Sequence, residues 1–128
     1  NAEICIKENI GLLAYSPLGF GVLSGKYLAG KMPKNSRLKL FPNLSRFAGE
    51  QSMNATEMYM NIANKSGISL THIALAFVNS RPFVTSNIIG ASKLSQLKEN
   101  IESININLSE EIFREIESIQ TLIPNPAP

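Results

Sequence analysis

Aspartate and tryptophan are absent from this 128-residue chain, and cysteine and histidine occur once each, as Cys5 and His72. A lone cysteine excludes an internal disulfide. One histidine without any aspartate leaves no cluster at metal-ligand spacing and no Ser–His–Asp relay for Ser16 or Ser24. No apolar run approaches the roughly 18 residues of a membrane helix, and the N-terminus lacks the basic-then-apolar pattern of an export signal. The formal charge of +2 is too small to imply nucleic acid. These absences point to a reducing, cytoplasmic setting with no membrane, nucleic-acid or metal partner. The first residue is Asn1 rather than Met, which reads as a processed, trimmed or partial sequence.

What is present describes a folded chain. At 44% hydrophobic and 17% charged residues, residues 1–128 are neither disordered nor fibrous and suit one domain. Ala2 to Glu8 has the look of a helix end, stopped at Asn9-Ile10-Gly11, and Cys5 reads as core within it. The apolar run Leu12-Leu13-Ala14-Tyr15 predicts a strand buried on both faces, as in a parallel sheet. From Ser16 to Glu50 no period holds for long, and a loop of that length is functional or disordered.

Helices follow. Ala55, Met58, Tyr59, Ile62 and Ala63 share a face before Gly67 ends the first. Ser69 is placed to cap a second, with apolar face Leu70, Ile73, Ala74, Phe77 and Val78. Thr85 to Ile89 predicts the second strand, and Leu94, Leu97, Ile101 and Ile104 line one face of the next helix. Ser109 caps the last helix, with Ile112, Ile116 and Ile119 facing inward. Strands alternating with helices imply parallel pairing and an α/β fold. Two strands offer too little sheet for so many apolar faces, so the chain reads as part of a larger barrel or sheet.

Two segments have the chemistry of anion sites. Between Glu8 and Glu50 no acidic residue occurs, while Lys26, Lys31, Lys34, Arg37, Lys39 and Arg46 are basic and glycines stand at 19, 21 and 25. A glycine-rich cationic loop after a parallel strand suits a phosphate-bearing ligand; a solvated basic loop explains the pattern about equally well. In the second segment, Ile88-Ile89-Gly90-Ala91-Ser92-Lys93, a strand runs into a helix N-terminus, where backbone N–H groups and the helix dipole favour an anion. The competing reading there is an ordinary cap served by Ser92. His72 reads as structural, and Glu110, Glu111, Glu115 and Glu117 as a solvated helix face.

These residues resemble the aldo-keto reductase family, in its Tas-like branch. The resemblance runs through Ala14-Tyr15-Ser16-Pro17-Leu18-Gly19-Phe20-Gly21, Leu23-Ser24-Gly25-Lys26-Tyr27 and Arg46-Phe47-Ala48-Gly49-Glu50-Gln51. It continues in Leu75-Ala76-Phe77-Val78, Ile89-Gly90-Ala91-Ser92, Gln96-Leu97-Lys98-Glu99-Asn100-Ile101 and the terminal Asn125-Pro126-Ala127-Pro128. It implies a TIM (β/α)₈ barrel, a fold of about 250 residues, of which this chain would be the C-terminal part with strands seven and eight and a long cofactor loop at 16–50. It further implies NADP(H) as cofactor. Ser16, Leu18, Gly19 and Gly21 would run along the pyrophosphate, with Lys26 and Arg37 as cationic partners. Gly90, Ser92 and Gln96 would meet the 2′-phosphate end, and Glu99 and Asn100 the adenine.

The family's catalytic tetrad of Asp, Tyr, Lys and His comes from earlier strands, and a chain with no aspartate cannot carry it. Tyr15, Tyr27, Lys26 and His72 match other parts of the pattern and are assigned no catalytic role. The expectation is therefore the cofactor-binding part of an NADP(H)-dependent oxidoreductase, inactive by itself. The alternative is a non-catalytic product of a split or truncated gene, serving at most as a nucleotide-binding or regulatory module. The strand edges lead to a further expectation: docking onto the missing N-terminal part of the barrel, or self-association.

Overall fold

The computed structural model describes residues 2–127, apart from the side chains of residues 43–45. Asn1 and Pro128, on which the reading of the chain's start and of the Asn125–Pro128 signature partly rests, lie outside the described residues. Helix α1 (Ala2–Lys7) leads to strand β1 (Leu12–Tyr15). Short 3₁₀ segments at Gly19–Ser24, Leu28–Gly30 and Pro42–Ala48, together with the one-turn helix α2 (Arg37–Leu40), break up the long connection that follows. Then come α3 (Glu50–Ser66), α4 (Leu70–Asn79), β2 (Val84–Ile88), α5 (Leu94–Glu102), a turn at Ser103–Asn105, and α6 (Glu110–Leu122).

The strands pair in parallel, Leu13 beside Ser86, Ala14 beside Asn87 and Tyr15 beside Ile88, with an irregularity between Leu12 and Leu13. The second strand lies one residue earlier than the sequence predicts: the ladder ends at Tyr15 beside Ile88, because β1 turns away at Ser16, with φ of 54°, and leaves Ile89 unpaired in it. The helix boundaries follow local chemistry. Gly67, with φ of 69°, closes α3 and donates its N–H to the Ala63 carbonyl. The Ser69 hydroxyl accepts from the His72 N–H, and the Ser109 hydroxyl from the Ile112 N–H, as the two predicted caps require.

The main core lies among α3, α4 and α6, where Ala55, Ile62, Ala63, Leu70, Ile73, Ile112, Ile116 and Ile119 form one buried cluster. Lys65 on α3 reaches Glu115 on α6 at 3.1 Å across its rim. A smaller cluster of Val22, Tyr27 and Leu38 holds the long connection together, with Phe20, Phe47 and Met53 against it.

Four predicted burials are corrected. Strand β1 is covered on one face only: Leu13 and Tyr15, with Ile88 beside them, are exposed because no described element stands opposite. The face formed by Leu94, Leu97, Ile101 and Ile104 is also open to solvent, and α5 instead buries Asn100 toward the chain. Cys5 is half-buried, in a helix that buries no residue. Helix α4 also hides more than one stripe. Thr71, Leu75 and Ala76 are buried as well as Leu70 and Ile73, since α4 packs against β2 as well as α3 and α5. Ala74, Phe77 and Val78, predicted on its buried face, are half-buried.

Candidate functional site

Both strands end at one cleft of about 940 Å³. One wall begins at Tyr15 and Ser16 after β1, and the other at Ile88 through Ser92 after β2. The N-terminus of α4 forms part of the floor through Ser69, Leu70 and Thr71. Ligand crevices in parallel α/β folds lie at the carboxyl ends of the strands, because the connecting loops there diverge and expose backbone N–H groups.

Of the residues expected at the site, Ser16, Leu18, Gly21, Lys26 and Arg37 line the first wall. Gly90, Ser92, Gln96, Glu99 and Asn100 line the second. The structure thus brings together two segments more than fifty residues apart in sequence. Gly19 is the exception: it is buried, and a Cβ built on it would lie 3.5 Å from the Phe47 ring.

The first wall owes its shape to left-handed backbone. Ser16, Gly19, Phe20 and Gly21 have φ of 54°, 51°, 56° and 91°. Gly21 leaves room for Lys26, whose Nζ would be 2.5 Å from a Cβ at that position. A side chain at residue 21 would therefore displace the ammonium as well as strain the turn. The Lys26 ammonium lies 5.1 Å from the centre of the Tyr27 ring, and the Arg37 guanidinium 5.3 Å from that of Phe20. Both cations are steadied by aromatic faces and form no ion pair with a carboxylate among the described residues.

The second wall is more internally bonded. Gln96 Oε1 accepts from both the Ser92 N–H at 3.1 Å and the Ser92 hydroxyl at 3.2 Å. Lys93 stands at the cap of α5, without a side-chain cap bond, which corrects the competing reading of Ser92 as that cap. The Ser69 hydroxyl donates to Glu99 Oε1 at 2.8 Å, and the Glu99 carbonyl pairs with His72 Nε2 at 2.9 Å, joining α4 to α5. His72 is structural, as the sequence suggests.

Sequence reasoning missed Tyr15, Ser24, Asn35, Phe41 and Thr71 along the cleft. Tyr15 had a usable signal, being the last residue of a strand. Ser24, Asn35 and Phe41 are placed by folding of the long connection and Thr71 by the docking of α4, and none carries a local signature.

An α/β chain with a polar, cation-bearing cleft at the carboxyl ends of parallel strands belongs with the barrel or doubly wound class. More narrowly, the chain belongs to the aldo/keto reductase family, whose profile matches residues 2–121. It is 46% identical over 127 residues to Protein tas of Escherichia coli K12, an alignment covering 99% of this chain and 37% of that protein. It is 36% identical over 116 residues to a probable voltage-gated potassium channel subunit beta of Oryza sativa, covering 86% of this chain and 35% of the relative. In three dimensions it matches the glycerol dehydrogenase of Gluconobacter oxydans with a TM-score of 0.73 at 24% identity, covering 100% of this chain and 39% of that one. The chain spans about a third of the length of these curated relatives, and the shared fold is that of part of a (β/α)₈ barrel. No described helix is long and apolar enough to cross a membrane.

Proposed function

We propose that this chain supplies strands seven and eight of an aldo/keto reductase barrel and that its own task is to clamp NADP(H), the catalytic groups coming from preceding β/α units. The observation that carries this reading is the single cleft in which the segments after both strands meet, with Lys26 and Arg37 on one wall and the start of α5 on the other. The donor set suits a phosphate-rich ligand. The lining residues include one carboxylate, Glu99, and it already accepts from Ser69.

Lys26 and Arg37 neutralise pyrophosphate charge, and Ser16, Leu18 and Gly21 supply the close backbone approach, with the buried Gly19 shaping the turn. Gly90, Ser92 and Gln96 hold the 2′-phosphate end, where Gln96 yields the Ser92 donors to the ligand. Glu99 and Asn100 border the adenine. The bound nicotinamide supplies the hydride for reduction of a carbonyl compound. With no aspartate, the chain lacks the tetrad that the family pattern implies, so it is inactive alone. The exposed sheet face and α5 face are where the rest of the barrel docks; without it, the unpaired strand edges favour self-association. This reading places the protein in the cytoplasm. A second reading, a nucleotide-binding or regulatory module without catalysis, draws support from the potassium channel beta-subunit relative.

Titration calorimetry with NADP⁺ and NAD⁺ tests the clamp. Binding that favours NADP⁺, weakened about tenfold or more in Lys26→Ala/Arg37→Ala, is expected from the loss of two charge-assisted contacts. Absence of NADP⁺ binding overturns the clamp, and carbonyl-dependent NADPH oxidation by the 128-residue chain overturns its inactivity.

A further inference from the structure

We propose that Phe47 is a positioning residue for the cleft, locking the left-handed turn of Gly19, Phe20 and Gly21 and, through Phe20, the Arg37 guanidinium. The ligand in this inference is the one proposed above, but the geometry stands without it. A left-handed backbone at Phe20, with φ of 56°, is unfavourable for a bulky side chain and persists only where surrounding contacts over-determine it.

Those contacts are visible. The Phe47 and Phe20 rings meet edge to face, centroids 4.9 Å apart and planes at 90°. The same Phe47 ring backs Gly19. Arg46 covers Phe47 at 4.5 Å, and Arg37 covers Phe20 at 5.3 Å. The result is a ladder, Arg46–Phe47–Phe20–Arg37, with its last two members in the cleft wall and its first two outside it. Phe20 is also pinned through its carbonyl, which accepts from the buried Tyr27 hydroxyl at 3.4 Å. That bond fixes the peptide but leaves the ring direction to Phe47. A residue that touches no ligand thereby sets where a cation meets one.

The test compares wild type, Phe47→Leu, Phe47→Tyr, Phe20→Leu and the Phe20→Leu/Phe47→Leu double variant by NADP⁺ calorimetry and ¹H–¹⁵N correlation spectra. Each leucine variant is expected to bind about tenfold more weakly. The double variant should lose no more than either single one, because both break the same ladder, and Phe47→Tyr should restore binding. A merely structural role would lower thermal stability without that pattern. Wild-type affinity in Phe47→Leu, or losses that multiply, overturns the proposal. The spectra decide it separately from the cofactor: the Gly19 and Gly21 amides should move in Phe47→Leu and stay in Phe47→Tyr. Unmoved amides in Phe47→Leu overturn the latch, whereas a wild type that ignores NADP⁺ counts against the cofactor reading.

Discussion

Helix α6 carries Ile112, Ile116 and Ile119 on one face, and α5 carries Leu94, Leu97 and Ile101 on one face at comparable helical spacing. The first set is 7%, 7% and 5% exposed; the second is 68%, 39% and 58% exposed. Both stripes have the periodicity of a core-facing helix. They differ in what lies opposite. Helices α3 and α4 close over α6, whereas no described element closes over the stripe of α5 or over Leu13, Tyr15 and Ile88 on the sheet. An apolar stripe marks the face that seeks cover, and it does not say whether the same chain provides it. Helix α6 finds its cover within the described residues; α5 and the sheet do not.

Substitutions can break or sharpen that contrast. The largest loss is expected from Ile73→Ala, which empties a site 2% exposed in the helical core. It should cost about 2–5 kcal/mol, seen as a lower urea midpoint with an unchanged slope. Ser109→Ala removes the hydroxyl that accepts from the Ile112 N–H at 3.3 Å. About 1 kcal/mol should be lost in the same assay.

A third effect is confined to alkaline pH. Burial against the helical core pushes the Tyr59 hydroxyl above its ordinary value of 10.0. The folded chain then holds this proton more tightly than the unfolded chain. The contribution is full below pH 10 and is lost as pH rises through the folded value. Tyr59→Phe should remove that decline, as followed by denaturation across a pH series.

The smallest effect tests the contrast most directly. Ile101→Ala, at a position 58% exposed, should change the stability of this chain by no more than about 0.5 kcal/mol. A loss equal to that of Ile73→Ala would mean the α5 face is covered after all. If the interface reading holds, the same substitution becomes costly once the remaining barrel units are present.

Much of the architecture was legible because its signals are local. Gly67, Ser69 and Ser109 end or start helices through bonds reaching three or four residues, so their placement survives any tertiary context. The parallel pairing followed from helices lying between the strands. At the cleft, glycines and cations after β1 and a strand-to-helix junction after β2 marked both walls as candidates, and the family resemblance assigned their residues. What escaped depended on the folding of the long connection: Gly19 was expected along the cleft, but it is buried and packs against Phe47, far along the chain.

By itself, the sequence determined the elements, their caps, the sign of charge in the long loop and the lack of a catalytic aspartate. Each of these depends on residue type and near-neighbour spacing. Only the tertiary structure decided that the two anion-favouring segments share one cleft and that Phe47 backs its turn. It also left the apolar faces of α5 and the sheet open. Burial and ligand geometry are set by which surfaces meet across tens of residues, and chain closure on that scale leaves no periodic trace in the sequence.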